Sequence, residues 1–377
     1  MPEVLGPQTI LSKALPTGVD AATVAQVMLR DGSDFGAFLN DLALAIGDFN
    51  QGFVEKWGGL FSITDEPYLE YPDGGAVTRM NALTDVSDPD AVHSTTAGHM
   101  LDIKPYGGAL GGSWRFFRDA RRAQLEAMIR TIMRQAEDRL EWELLNRLFV
   151  DTEYAVGTAG YNVGLVRTGG NVSYTPPKYA GRDFTSHTHF YGFDSDTAPI
   201  KTLADVLNDL ADSVAEHGHE PPFTAIVARA DFPTYRGLAN YVDFVAPVIQ
   251  MVDKGGATSG ASFFATGQPA IANGVAGYYQ APAGLVEIRA TARVPSGYAA
   301  VYKSYGPNDP RNPLAVRVHP NQGFGAFIVS EAADNRQYPI QKVTIEMEFG
   351  VSVGVDRTNG AVGYLSTVGS WSNPTIG

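Results

Sequence analysis

Two pairs of histidines have the spacing of metal ligands, His187-x-His189 and His217-x-His219. A zinc site needs three or four such ligands, each held in place by a second layer of hydrogen-bond partners. Acidic residues lie near both pairs, as they do throughout this acidic chain: Asp183, Asp194, Glu216 and Glu220. No sequence pattern joins the two pairs. We therefore expect surface or capping histidines and predict no metal-binding residues.

The run Gly350-Val-Ser352-Val-Gly354 matches the G-x-S-x-G pattern of serine hydrolases. That pattern requires the serine on a strand-to-helix turn, with the triad histidine later in the chain. Ser352 instead lies within an alternating, strand-like run, and the last histidine of the chain, His319, precedes it. We predict a structural strand here, no catalytic residues and no enzymatic activity.

Four glycines at positions 107, 108, 111 and 112 precede a predicted helix, an arrangement that can cradle a phosphate. The chain has no Gly-Lys dipeptide, so it lacks a Walker A motif, and these glycines do not have the G-x-G-x-x-G spacing. We predict a flexible joint at this point, and no cofactor or cofactor-binding residue.

The longest predicted element is a helix over residues 113–149. This stretch contains no proline or glycine, its apolar residues recur at helical spacing, and Ser113 is a suitable N-cap. At 1.5 Å per residue the helix would be roughly 55 Å long and would need an extended partner. The spacing fits packing on a core, and it also fits a coiled coil.

Extended segments are predicted on both sides of that helix. A turn signal at Pro72-Asp73-Gly74-Gly75 and strand-like runs around it predict a two-stranded ribbon over residues 59–112. Such a ribbon is marginally stable alone, so a neighbour is expected to support it. Further along, the patterns predict an amphipathic helix over 201–217, a buried strand over 223–228, and a strand over 342–355 that turns at 356–360 and returns over 361–368.

The first 58 residues suggest an arm. Residues 1–18 contain three prolines, a short helix is expected after Asp20, and a second helix is expected after Ser33. The second helix carries an apolar stripe composed of Phe35, Phe38, Leu39, Leu42, Ile46, Phe49 and Phe53. An arm without a core of its own would bury this stripe against another subunit.

Composition excludes several classes of protein. The 377 residues are 44% hydrophobic and 18% charged, which is typical of a folded, globular chain. A net charge of −13 argues against tight phosphate binding, although one side of the 113–149 helix could still be basic. The absence of cysteine excludes disulfides and thiolate chemistry. No signal peptide and no apolar run of ~18 residues is seen, so we predict a soluble protein made in a cytoplasm.

The order of elements is arm, ribbon with a glycine joint, long charged helix, mixed α/β region and closing strands. This order resembles the HK97-fold major capsid proteins of tailed bacteriophages. The stretches that carry the resemblance are MLDIKPYGGALGGSWRFFRDARRAQLEAMI, FTAIVARADFPTYRGL and VTIEMEFGVSVGVDRTNGAVGYLSTV. The resemblance covers most of the chain from about residue 55.

The resemblance implies an α+β, HK97-like capsid fold. Its parts would be an N-terminal arm (1–58), an E-loop (59–112), a P-domain with the spine helix (113–195, helix 113–149), an A-domain (196–330), and closing P-domain strands with the C-terminal residues (331–377). It implies a structural protein that self-assembles through hexamers and pentamers into an icosahedral shell around double-stranded DNA, without sequence-specific contacts. Its location would be the virion, after assembly in the host cytoplasm. A scaffolding protein, a portal and a decoration protein are further candidate partners, and no membrane is involved.

Some members of that family join subunits through an isopeptide bond between an E-loop lysine and an asparagine, with a glutamate as catalyst. At the corresponding positions this chain has Lys104, Gln341 and Glu348. Because glutamine replaces the asparagine, we do not extend the resemblance to the crosslink and expect a non-covalent shell.

Three alternatives remain open from the sequence. An encapsulin-like compartment has the same fold but encloses cargo enzymes instead of a genome. A tail-tube or surface-layer subunit is a second alternative, and the long central helix argues against it. An enzyme with an unrecognised site is the third.

Overall fold

The computed structural model describes residues 29–32, 35–74, 95–113, 116, 119–158, 160–243, 275–331 and 340–377. Three predicted elements lie outside the described residues: the irregular arm over 1–18, the short helix after Asp20, and most of the strand expected around residues 242–252. The helices in the described residues are α1 (Phe35–Trp57), α2 (Arg122–Phe149), α3 (Leu203–Ala215) and α4 (Phe232–Arg236).

Sixteen strands occur in the described part of the chain. They are β1 (Phe61–Thr64), β2 (Tyr68–Asp73), β3 (Thr95–Met100), β4 (Lys104–Ser113), β5 (Tyr154–Val156), β6 (Gly160–Asn162), β7 (Phe190–Asp194), β8 (Phe223–Ala228), β9 (Tyr241–Asp243), β10 (Val275–Ala281), β11 (Gly284–Thr291), β12 (Tyr298–Tyr302), β13 (Leu314–Val318), β14 (Phe327–Glu331), β15 (Ile340–Val353) and β16 (Ala361–Ser366).

A five-stranded sheet is built on β15, the longest strand described. Along one edge of β15, its first part pairs with β14 and its last part pairs with β13, both antiparallel. The β1 strand pairs with β13 in parallel. The opposite edge of β15 pairs with β4 from Ile340–Ser113 to Phe349–Lys104. The β15 strand therefore pairs directly with three of the other four strands.

A seven-stranded sheet has the order β7-β16-β12-β8-β11-β10-β9. The buried residues of β8 alternate between two cores, since Ala225 and Val227 face one hydrophobic cluster and Ile226 and Ala228 face the other. The first cluster lies under α3, which buries Val206, Leu207 and Leu210 among other residues. The second cluster is continuous with the core between α1, α2 and the five-stranded sheet. The second cluster therefore contains residues of both sheets.

Several predicted elements are confirmed. The amphipathic helix over 201–217 is α3, and it begins with a capping box in which Thr202 and Asp205 satisfy each other's backbone amides. The buried strand over 223–228 is β8, and all six of its residues are buried. The turn into a helix after residue 229 is α4, and the strand over 342–355 is β15.

The predicted start of the long helix is wrong. The helix begins at Arg122 and contains 28 residues, and Ser113 is the last residue of β4, not an N-cap. The Ala120 backbone N–H donates to the Phe116 carbonyl at 2.7 Å, and Arg121, which follows, is extended, with φ −96° and ψ 150°. The interruption is made by a distant segment: the Asp31 carboxylate accepts a hydrogen bond from the Arg122 backbone N–H at 2.9 Å and so caps α2.

The described part of the apolar stripe of α1, from Leu42 onward, packs within its own chain, which corrects for this part the expectation that another subunit would cover it. Leu42, Ile46 and Phe53 are each about 5% exposed or less and belong to the main core. The Phe53 ring lies 6.1 Å from that of Phe324, and Lys56 Nζ is 3.2 Å from Glu137 Oε1 on α2. The stripe side chains of residues 35–40 lie outside the described residues. The α2 helix packs on this same core, as the core-packing alternative predicted.

The glycine stretch is a paired strand, not the predicted flexible joint. Residues 104–113 form β4 along β15, and β1 likewise belongs to the five-stranded sheet, so the described part of the ribbon consists of β2 and β3. The glycines allow the strand to lie close to α2, because a Cβ added at Gly108 would come within 2.7 Å of Ile132 Cγ2.

The predicted hairpin at the end of the chain is also wrong. After β15 the chain leaves the five-stranded sheet, and β16 inserts between β7 and β12 of the seven-stranded sheet. The connecting residues Arg357, Thr358 and Asn359 are buried, whereas a hairpin turn would be exposed. The Asn359 amide donates to the carbonyls of Lys303 and Arg311, which fixes this crossover.

Candidate functional site

The ribbon formed by β2 and β3 is a candidate assembly element because little of it is covered by its own chain. The register runs from Tyr68–Met100 to Asp73–Thr95, and no third strand described joins this pair. Tyr71 and His99 are buried, and the other described side chains of the ribbon are partly or fully exposed. The ribbon is therefore anchored on one side and open on the rest.

A buried cluster holds the base of the ribbon; we call Tyr71, His99, Glu153 and Arg357 the ribbon-base cluster. Arg357 is 1% exposed and donates to the carbonyls of Gly164 and Leu165 at 3.1 and 3.4 Å, and to the Tyr71 hydroxyl at 3.3 Å. His99 Nε2 donates to the Val353 carbonyl at 3.0 Å. The guanidinium thus joins the ribbon to the crossover after β15.

The electrostatics of the ribbon-base cluster follow from its burial. Glu153 Oε1 lies 3.8 Å from the Arg357 guanidinium, and both side chains are 1% exposed, so the charges compensate each other away from water. Burial, reinforced by the charge of Arg357, lowers the pKa of His99 to about 3. Burial also raises the pKa of Tyr71. His99 is consequently a neutral donor at physiological pH.

Exposed apolar groups and an open strand edge lie beside the ribbon. Tyr68, Tyr154 and Tyr161 keep 38–45% of their surface exposed, and the hairpin of β5 and β6 packs against β3. The β4 strand pairs with β15 along one edge, and no described strand pairs with its other edge. An open edge ten residues long can pair with a strand of another molecule.

Ser352 of the G-x-S-x-G run lies within β15 and is fully buried. Its hydroxyl donates to the Val163 carbonyl at 3.3 Å. None of the hydrogen bonds of this serine in the described part of the chain is to a histidine or a carboxylate. The pattern is therefore part of a sheet and has none of the geometry of a nucleophile.

The residues considered for a crosslink lie on neighbouring strands. Lys104 is opposite Phe349, and Glu348 is opposite Pro105, while Gln341 is at the far end of the same pairing, opposite Gly112. The Lys104 ammonium lies 2.9 Å from Asp102 Oδ2, within its own chain. The absence of a crosslink remains a prediction.

The structure brings three of the four paired histidines together and leaves His219 apart. The ring nitrogens of His187, His189 and His217 converge, and His189 is fully buried, so these are not the separate surface histidines expected from the sequence. His219 points elsewhere: its Nδ1 lies 2.8 Å from the Tyr305 hydroxyl, and its Nε2 lies 3.4 Å from Asp356 Oδ2. Burial lowers the pKa of His219, and Asp356 opposes that change.

Sequence analysis did not identify the ribbon-base cluster. Arg357 lies in the segment Asp-Arg-Thr-Asn-Gly, whose composition is that of an exposed turn. The only signal in the sequence was that this segment directly follows the most strongly alternating strand of the chain. None of the described helices is long and apolar enough to cross a bilayer.

No family model and no curated protein matches this chain. A chain from the structure of Mycobacterium phage Patience is 22% identical to it, with a TM-score of 0.61 over 94% of both chains. A chain of the capsid of the empty GTA particle is 11% identical, covers 83% of this chain and 90% of its own length, and has a TM-score of 0.44. A chain of the bacteriophage PhiM1 mature capsid is 14% identical, covers 82% and 86%, and has a TM-score of 0.43.

The similarity to the chain from Mycobacterium phage Patience establishes the fold over nearly the whole length of both chains. The predicted α+β, HK97-like fold is therefore confirmed.

Proposed function

We propose that this chain is a major capsid protein that assembles through hexamers and pentamers into an icosahedral shell around the double-stranded DNA of a tailed phage. The observation that carries the proposal is the fold itself, which is shared over 94% of both chains with a chain from Mycobacterium phage Patience. In this proposal the chain is structural and non-enzymatic, and it is located in the virion after assembly in the host cytoplasm.

The surfaces of the subunit support this proposal. A two-stranded ribbon has little stability alone, and in the described residues this one is held along one side, by Arg357 at Tyr71 and by hydrogen bonds of Asp73 and Gly74 with Thr175. The open edge of β4 and the exposed tyrosines at 68, 154 and 161 are further surfaces that a neighbouring copy would cover. A shell subunit needs surfaces of this kind because each copy is completed by the copies around it.

The charge of the chain fits a container better than a DNA-binding protein. A net charge of −13 leaves no general basic surface, so the enclosed DNA would be confined without sequence-specific contacts. A scaffolding protein, a portal and a decoration protein are candidate partners that the fold resemblance suggests. Each would bind the outside, the inside or a vertex of the assembled shell.

Expression of the chain alone and with candidate scaffolding proteins tests the proposal. We expect closed icosahedral shells hundreds of ångströms across in negative-stain micrographs, and a matching species in light scattering. The ratio of absorbance at 260 and 280 nm of particles from infected cells then distinguishes a genome from a protein cargo. A stable monomer or small ring under every condition would contradict the shell function, and a protein cargo would favour the encapsulin-like alternative.

A ribbon variant makes the test specific. Asp73 and Thr95 are paired, so residues 74–94 can be replaced by Asn-Gly, which closes a two-residue hairpin turn. We expect this variant to keep the melting temperature of the free subunit and to lose shell assembly. The matched control replaces residues 199–201, in the exposed loop before α3, with Gly-Ser-Gly, and it should still assemble. Normal shells from this variant would show that residues 74–94, which connect the two strands of the ribbon, are not needed for assembly.

A further inference from the structure

Three imidazole rings from two distant parts of the sequence meet at one point beside the seven-stranded sheet. The Nε2 atoms of His187, His189 and His217 lie 2.9 to 3.0 Å from one another. A fourth group, Glu216 Oε1, lies 3.2 Å from His187 Nε2. We propose that these residues, which we call the histidine cluster, bind a zinc ion through the three Nε2 atoms, with the Glu216 carboxylate beside His187.

The triangle of nitrogens is slightly smaller than a tetrahedral zinc site requires. Zn–N bonds about 2.0–2.1 Å long place tetrahedral nitrogens about 3.3–3.4 Å from one another. The three rings therefore need to move apart by only a few tenths of an ångström to hold an ion with a fourth ligand on its open side. Glu216 directly precedes His217 at the end of α3, which places its carboxylate beside the triangle.

The protons of the three rings cannot satisfy this arrangement without a cation. His189 Nδ1 lies 2.5 Å from the Gly360 carbonyl, so this nitrogen carries the proton and Nε2 presents a lone pair. If both His187 and His217 carried their proton on Nε2, the two N–H groups would face each other. If only one of them did, its partner and His189 would face each other with Nε2 lone pairs. A metal ion accepts all three lone pairs at once.

The rings are held in the neutral form that a metal requires. A protonated ring would be costly here because the other two rings lie within 3 Å.

A second layer of contacts orients the ligands. The Gly360 carbonyl fixes the His189 ring, as a metal-bound histidine usually requires. Arg182 Nη1 lies 2.5 Å from Glu216 Oε2, which leaves Oε1 free to face the rings. The Phe184 ring packs 4.2 Å from His217 and 5.2 Å from His187 and shields them from water.

The ligand set favours zinc over calcium and magnesium. Three imidazoles are an established set of protein ligands for zinc and leave a fourth position, whereas calcium and magnesium prefer oxygen ligands. Bound zinc would join the segment before β7 to the end of α3. It would therefore fasten the β7 edge of the seven-stranded sheet to the helix that covers it.

The experiment uses the full chain prepared without a histidine tag, incubated with zinc and then dialysed. We expect one zinc per chain by elemental analysis, and cobalt substitution should give the intense visible absorption of tetrahedral Co²⁺. His187→Gln and His217→Gln should lose stoichiometric binding. Arg182→Gln should weaken binding by about 10–100-fold, as the loss of an outer contact does.

His219→Gln is the matched control, because this histidine has the same spacing in the sequence but bonds Tyr305 and Thr358 instead. It should keep one zinc per chain and the cobalt spectrum. Circular dichroism of every variant checks that it is folded. A folded wild type that retains no zinc would overturn the proposal, as would full binding by both ligand variants. The measurement is independent of shell formation, because it is made on the free subunit.

Discussion

The ribbon-base cluster and the histidine cluster both bury polar side chains where a loop meets a sheet, but they differ in how those groups are satisfied. In the ribbon-base cluster, Arg357 donates to two carbonyls and a hydroxyl, and Glu153 balances its charge. In the histidine cluster, three ring nitrogens face one another. In the first cluster opposite charges, and donors and acceptors, meet within the chain, whereas the second brings together atoms that need an ion between them.

The difference shows which kind of buried polar group points to a ligand. A buried charge with its acceptors around it contributes to a specific structure and requires nothing more. Ring nitrogens that all direct lone pairs toward one point are satisfied only by a cation that binds them together. The following changes separate the two cases, in order of decreasing expected effect.

Arg357→Met should have the largest effect because it leaves Glu153 buried without its counter-charge and leaves two carbonyls without a donor. We expect a loss of about 3–5 kcal/mol in the free energy of unfolding, measured by urea denaturation of the free subunit. The matched control is Arg311→Met, at an arginine with a 60% exposed side chain paired to Asp309, where the change should be much smaller. Equal losses in the two variants would contradict the role of the ribbon-base cluster.

Zinc should stabilise the wild-type subunit and leave His217→Gln unaffected. An ion at 100 times its dissociation constant adds about 2.7 kcal/mol to the stability of a folded state that alone binds it. We expect the melting temperature of the wild type to rise by several degrees on adding zinc and to fall again with a chelator. A similar rise in His217→Gln would locate the stabilising ion elsewhere.

Acid should destabilise the subunit partly through His99. Its pKa is about 3 when folded and about 6.5 in an unfolded chain. Between these values the unfolded chain binds a proton that the folded chain does not, so stability falls as the pH falls from 6.5 toward 3. One such group contributes up to about 1.4 kcal/mol per pH unit. His99→Gln keeps a donor for Val353, and urea midpoints measured between pH 7 and 4 should decline less steeply for this variant.

Thr202→Ala should have the smallest effect and should leave the histidine cluster intact. It removes the capping box at the start of α3, which lowers the free energy of unfolding by about 1 kcal/mol. The cobalt affinity should not change, because Glu216 and His217 lie at the opposite end of the helix. A weakened affinity would show that the zinc site depends on the stability of the whole helix.

Local patterns predicted the elements whose stability is local. The α3 helix has its stripe and its capping box in one short segment, and β8 is a compact apolar run. The start of α2 could not be predicted, because Asp31 and Arg30 interrupt the helix from a distant segment of the chain. The change of sheet between β15 and β16 was also hidden, because a turn sequence can be exposed or buried with the same composition.

The candidate sites illustrate the same limit. The spacing of His187 and His189 was visible, but the third ring comes from the end of α3 and is joined to them only by the packing of that helix on the sheet. Glu216 looked like one of many acids in an acidic chain. Arg357 and Glu153 are distant in sequence, and neither lies in a motif.

The pairing of distant strands determines when during synthesis this chain can fold. Phe61 pairs with Leu314, β4 pairs with residues 340–349, and Phe190 pairs with Val362. A nascent chain that has emerged only to residue 313 carries the ribbon and α2 without the strands that complete either sheet. Such long-range pairings form late. A ribosome must therefore translate nearly all of this sequence before the two sheets can be completed.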